Sequence, residues 1–153
     1  MVYFLLVSAV VYALDQGTKL YVAERMAFFE SLPVIENIFH ITLIRNYGAA
    51  FGILPHMRGF FIIMHVLAIF LILFFIRQIP REQAVLRLGL ALQMGGAAGN
   101  LTDRLRLGYV LDFLDFRIWP VFNVADSAIV AGVFLLAMGL LRMAPRQEPE
   151  NPL

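Results

Sequence analysis

The sequence predicts an all-α integral membrane protein of four transmembrane helices, with a small β-sheet forming a cradle on the extracytoplasmic side. Three observations carry that prediction. Hydrophobic residues make up 61% of the chain and charged residues only 15%, against about 45–50% and 25% in soluble domains. Four separate stretches are apolar over roughly the 20 residues that a bilayer span needs. Two of the connecting segments are rich in β-branched and aromatic residues instead.

The first span begins at residues 2–14. Alone, these have the length of the core of a secretory signal peptide. No basic residue precedes them, however, and the helix can run on through Asp15 and Lys19, an i,i+4 pair, to about residue 22. The second span, 59–76, is broken only by His65. The third, 86–105, carries Gln93, Asn100, Asp103 and Arg104, and its Gly95 and Gly99 permit close packing on a neighbour. The fourth, 121–141, carries Asn123, Asp126 and Ser127 in its first two turns.

Residues 77–87 form a short loop with Pro80 and three arginines against one glutamate. The positive-inside rule places this loop and the polar, proline-rich tail in the cytoplasm. Both termini are then cytoplasmic, and residues 23–58 and 106–120 lie outside. One membrane domain, 1–142, is expected, followed by a disordered tail, 143–153. Within the outer segments, 34–44 and 109–118 read as strands. Between them, Asn46-Tyr-Gly48-Ala-Ala-Phe-Gly52 suits a tight backbone path or a close approach.

Composition excludes several functions. A net charge of +1 gives no basic face for nucleic acid. With no cysteine there is no disulfide, no thiolate metal site and no cysteine nucleophile. His40, His56 and His65 lack metal-ligand spacing and read as surface or packing residues.

Ionisable groups in or near a bilayer are costly, so each is a functional candidate. Asp15, Asp103, Asp112 and Asp126 all fall at the outer ends of spans or just beyond. On a helix Asn100, Asp103 and Arg104 share one face, as do Asn123 and Asp126. Two carboxylates brought together cannot both ionise cheaply and therefore retain a proton. One can then activate a water while the other polarises a carbonyl, which is aspartyl protease chemistry. If 109–118 is a strand, Asp112 and Asp115 point to opposite faces. Asp112 falls with Val110, Leu114 and Phe116, and Asp115 with Arg117, so Asp112 is the expected member of the pair.

Five blocks in order resemble the signatures of the lipoprotein signal peptidase, or signal peptidase II, family: Asp15-Gln-Gly-Thr-Lys19, Arg45-Asn-Tyr-Gly-Ala-Ala-Phe51, Gly95-Gly-Ala-Ala-Gly-Asn-Leu-Thr-Asp-Arg104, Val110-Leu-Asp-Phe113 and Phe122-Asn-Val-Ala-Asp-Ser127. The resemblance implies an aspartyl endopeptidase of the bacterial inner membrane, without metal or other cofactor, that is inhibited by globomycin. Its substrates would be diacylated prolipoproteins, cut just before the lipidated cysteine at the outer face of the membrane. It implies Asp112 and Asp126 as the catalytic pair, with Asp15, Asn46, Gly48, Asn100, Asp103, Arg104 and Asn123 as substrate-binding or supporting residues. Membrane lipid is the expected surrounding, and the chain is expected to act as a monomer. Thr102 and Leu111 stand where the family usually has other apolar residues, and the stretch between Asp112 and Asn123 is short for the family.

Blander readings stand beside these. Asp103 and Arg104 can be a satisfied helix-end pair, Asn123 an ordinary N-cap, and Gly95 and Gly99 simple helix packing. Ser127 and the distant Lys19 do not make a serine–lysine pair. A proton- or ion-coupled transporter is the alternative from another class, and a membrane scaffold a third. Against transport, the carboxylates gather at one membrane face, whereas relays need polar groups through the bilayer.

Overall fold

Apolar runs of this length satisfy their own backbone hydrogen bonds only as helices, and the computed structural model, which describes residues 1–48 and 57–143, has four long ones. They are α1 (Val2–Ala23), α2 (Arg58–Phe75), α3 (Ala84–Arg106) and α4 (Val124–Met143). Three strands, β1 (Ser31–Ile35), β2 (Phe39–Asn46) and β3 (Val110–Asp115), form an antiparallel sheet in the order β1-β2-β3. His56, residues 49–52 of the glycine-containing stretch and residues 144–153 of the expected tail lie outside the described residues.

Helix α3 is the axis of the bundle and packs on the other three helices. Its glycines permit this. A Cβ on Gly96 would lie 2.5 Å from the carbonyl oxygen of Ala125 in α4, and one on Gly99 would run into the Asp15 carboxylate of α1. The helix ends where Gly108 takes φ 87°, the left-handed position that terminates many helices. Helices α2 and α4 are long and apolar enough to cross a membrane, with mean hydropathies of 2.4 and 2.2. Their side chains are mostly outward-facing: Ile63, Phe70, Val130 and Phe134 are all more than 60% exposed. So continuous an apolar surface is unlike that of a water-soluble monomer.

The stretch 34–44, expected as one strand, is instead a hairpin. Ile35 pairs with Phe39, and Asn37 turns the chain at φ 60°, a conformation that asparagine tolerates better than most residues. The pairing of β2 with β3 shifts between Ile41 and Ile44, where two residues of β2 face one of β3. Such a bulge bends and twists a strand locally. Beneath it Leu43, Leu111, Phe113 and Val22 form a core that seats the sheet on α1.

The last span starts later than residue 121 because Phe122 joins the sheet. Its carbonyl accepts from the N–H groups of Phe113 and Leu114, and its own N–H donates to Leu114. The short connection from β3 to α4 is thereby clasped at its base, with the rings of Phe116 and Phe122 stacked 5.9 Å apart.

Candidate active site

The first turn of α4 is held by a reciprocal cap. Asn123 Oδ1 accepts from the N–H of Asp126 at 2.9 Å, and Asp126 Oδ2 accepts from the N–H of Asn123 at 3.3 Å. This is a capping box with an aspartate as its acidic member. The cap reading of Asn123 is therefore right, and Asn123 does more besides. Its Nδ2 donates to Asp112 Oδ1 at 2.7 Å, so one amide ties β3 to the start of α4.

Asp112, 1% exposed, also accepts at Oδ2 from Asn46 Nδ2 at 2.8 Å. Asn46 pairs with Val110 in the sheet, one diagonal step away. On the other side Asp126 Oδ1 accepts from Asn100 Nδ2 at 2.8 Å. The orientation of the Asn100 amide is decided by Lys19, whose ammonium donates to Asn100 Oδ1 at 3.0 Å and leaves only the NH₂ group for Asp126.

Both carboxylates line a cavity of about 320 Å³, together with Asn46, Gly48, His65, Asn100 and Arg104. Arg104 donates to the carbonyl of Gly48 at 2.8 Å and lies 4.6 Å over the ring of Phe61. An apolar groove of about 610 Å³, lined by Phe116, Ile118, Trp119, Phe122, Val130 and Ala131, meets this cavity at Asp126. Burial pushes the Asp112 carboxyl up to about 7, and the charge of Asp126 adds to the rise against the hydrogen bonds from Asn46 and Asn123.

Asp15 and Asp103 stand apart. Lys19 Nζ lies 2.8 Å from Asp15 Oδ2 and 2.9 Å from Asp103 Oδ2, all three side chains being almost fully buried. Asp15 Oδ1 accepts from the N–H of Ala125, and Asp103 accepts from Gln16 Nε2 and from the N–H of Leu111. Asp103 thus pairs with Lys19, while neighbouring Arg104 reaches the cavity. Lys19 is a site residue outside the sequence expectations, although a sole lysine one helical turn from an aspartate was the available signal. His65, expected as a surface or packing residue, lines the cavity.

For Asp115 the partner is as expected but the geometry is not. Strand β3 ends at Asp115, and Arg117, at φ 64°, turns back to it. Its N–H donates to Asp115 at 2.8 Å and its guanidinium lies 3.1 Å away. Burial alone would raise the Asp115 carboxyl. The hydroxyl of Thr42 and the donors of Arg117 outweigh it and hold the group below the usual range.

The family model for signal peptidase (SPase) II matches residues 7–142. The chain belongs to the signal peptidase II family. It is 50% identical over 147 residues to a lipoprotein signal peptidase of Moorella thermoacetica, covering 96% of this chain and 98% of that one. To the lipoprotein signal peptidase of Pelotomaculum thermopropionicum it is 51% identical over 139 residues, 91% of each chain. Two solved structures described as bacterial membrane enzymes, obtained by the in meso method, are similar. One has a TM-score of 0.90 at 32% identity over 100% of this chain and 95% of its own, the other 0.85 at 34% over 93% and 94%. Like the rest of the signal peptidase II family, the chain is therefore a peptidase and an integral membrane protein.

Proposed function

We infer that this protein is an aspartyl endopeptidase that removes the signal peptide from diacylglyceryl-modified prolipoproteins, cutting before the lipidated cysteine. The observation that carries this is the arrangement of Asp112 and Asp126. Two carboxylates, one buried and one half-buried, share one cavity, and the groups that hydrogen-bond them are neutral amides. Such a pair holds one proton between its members near neutral pH. The ionised member takes a proton from water as that water attacks the scissile carbonyl. The protonated member donates to the carbonyl oxygen; as the intermediate collapses, the proton gained from water passes to the leaving amine and a hydroxyl of the intermediate returns a proton to the pair. Asn46, Asn100 and Asn123 hold the two carboxylates in place by donating to them. The Arg104 guanidinium, which lines the cavity, favours the charge that develops on the oxygen.

The apolar groove meeting the cavity at Asp126 suits the long apolar part of a substrate that arrives from the membrane. All four helices span in this reading, as a single domain. Residues 77–87 and both termini are then cytoplasmic, and the dyad sits near the outer interface. A cysteine introduced at position 82 should resist an impermeant thiol reagent in intact cells, and labelling there would invert the topology. The direct test of function is incubation of the purified protein with a diacylated lipobox peptide. Cleavage before the modified cysteine, lost in Asp112→Asn and in Asp126→Asn, is the expected result. Cleavage that persists in either variant would remove the dyad.

A further inference from the structure

The last carbonyls of a helix have no partners within it, and at the end of α3 two of them belong to Arg104 and Leu105. Both accept from Arg58, the first residue of α2. Its Nε lies 2.8 Å from the carbonyl oxygen of Arg104, and a terminal nitrogen lies 2.9 Å from that of Leu105. A guanidinium presents its donors in a rigid planar fork, so the two bonds set the direction of the helix end as well as its distance. No carboxylate pairs with Arg58 among the described residues. Its printed bonds all go to the main chain of α3.

Arg104 is the residue that these bonds hold. It lines the catalytic cavity, donates to the carbonyl of Gly48 at 2.8 Å and lies over the ring of Phe61. Arg58 and Phe61 are three residues apart on α2 and therefore share a face. That face grips Arg104 twice, at the main chain through Arg58 and at the guanidinium through Phe61. Neighbouring Asp103 is tied instead to Lys19 of α1. A cation at a helix C-terminus is stabilising whatever lies nearby, and a cap alone would account for the two bonds. The grip on both ends of one cavity residue goes further.

We propose that Arg58 is a positioning residue for the reaction: by fixing the main chain of Arg104 it holds that guanidinium where charge develops on the attacked carbonyl. The inference rests on the peptidase reading of the site, but Arg58 does not itself line the cavity. A reacting or stabilising group misplaced by about 1 Å can lose on the order of 10²-fold in rate, so a frayed last turn of α3 is enough to matter.

The test uses purified wild type, Arg58→Met, Arg58→Lys, Arg104→Met and the double variant with methionine at both positions. On the diacylated peptide Arg58→Met should lose at least about tenfold in kcat with KM near wild type. Arg58→Lys keeps the charge at the helix end without the fork and should be impaired as well. With Arg104 already replaced, the change at Arg58 should cost no further activity, because its effect passes through Arg104. Losses that multiply in the double variant would overturn the proposal, and full activity in Arg58→Lys would reduce Arg58 to a charge at a helix end. Diffraction from Arg58→Met gives a readout that needs no activity. The Arg104 guanidinium should have left the Gly48 carbonyl, and an unmoved Arg104 would overturn the proposal even if Arg104→Met fails to fold. A wild type that leaves the peptide uncut sinks the peptidase reading instead, and the two failures are read separately.

Discussion

Two groups of aspartates lie side by side at one end of the bundle, and they differ in what faces them. Asp15 and Asp103 close on the ammonium of Lys19 at 2.8 and 2.9 Å. Asp112 and Asp126 are bonded by the amides of Asn46, Asn100 and Asn123, and their outer side is a cavity. Residue type is the same in both, and all but the half-buried Asp126 are almost fully buried. A cation within salt-bridge distance ties the first group together and makes it a strut. Neutral donors hold the second group in position, as the proposed role of giving and taking a proton requires. Asn100 joins the two, accepting from Lys19 and donating to Asp126.

The sharpest way to break this contrast is to substitute one member from each side. Asp112→Asn and Asp126→Asn keep size and remove a titrating group, so each should lower kcat by at least about 10³-fold, roughly 4 kcal/mol of barrier, with substrate binding retained. Lys19→Met should instead reduce stability. It leaves two buried carboxylates facing each other, and removing one partner of a buried pair costs about 3–5 kcal/mol. Thermal unfolding in detergent checks this, and a melting temperature equal to wild type would mean that the triad is not a strut.

The pH dependence sharpens the contrast. With the Asp112 carboxyl pushed up to about 7, kcat/KM should fall as the pH rises past about 7 and the pair loses its proton. The hydrogen bond from Asn46 lowers that carboxyl, so Asn46→Ala should move the alkaline limb upward, a shift read from the kcat/KM profile. Stability follows the same group. The folded state binds the proton more tightly than the unfolded chain, so the contribution of Asp112 is most favourable below 3.8 and is lost as the pH rises to about 7. Asp112→Asn should accordingly melt higher than wild type at pH 8, with the gap closing toward pH 4. The smallest effect is expected at Asp115, whose carboxylate is held by Thr42 and Arg117 away from the cavity. Asp115→Asn should keep the rate within about tenfold, or 1.4 kcal/mol.

Much of this was legible in the residues. Hydropathy placed the four helices to within three residues at each end, because apolar runs of span length have few alternatives. Strand alternation separated Asp112 from Asp115. The hairpin was missed because 34–44 reads as one β-branched run, and Asn37 alone marks the turn. The partition of the polar residues was harder to read. Asn100, Asp103 and Arg104 share a broad helix face, yet Asp103 turns to Lys19 and Arg104 to the cavity. Spacing along one helix gives a direction, but the choice between two partners is made by helices remote in sequence.

The clasp of Phe122 on Leu114 has a consequence for how such a peptidase can diversify. Asp112 lies on the sheet side of the clasp and Asp126 on the helix side, while Trp119 and Pro120, between β3 and Phe122, border the cavity. Residues can be added, removed or exchanged between Phe116 and Val121 while the clasp holds the two carboxylates at the same separation. On the proposed reading of the site, pocket width and reaction chemistry are thus adjustable independently.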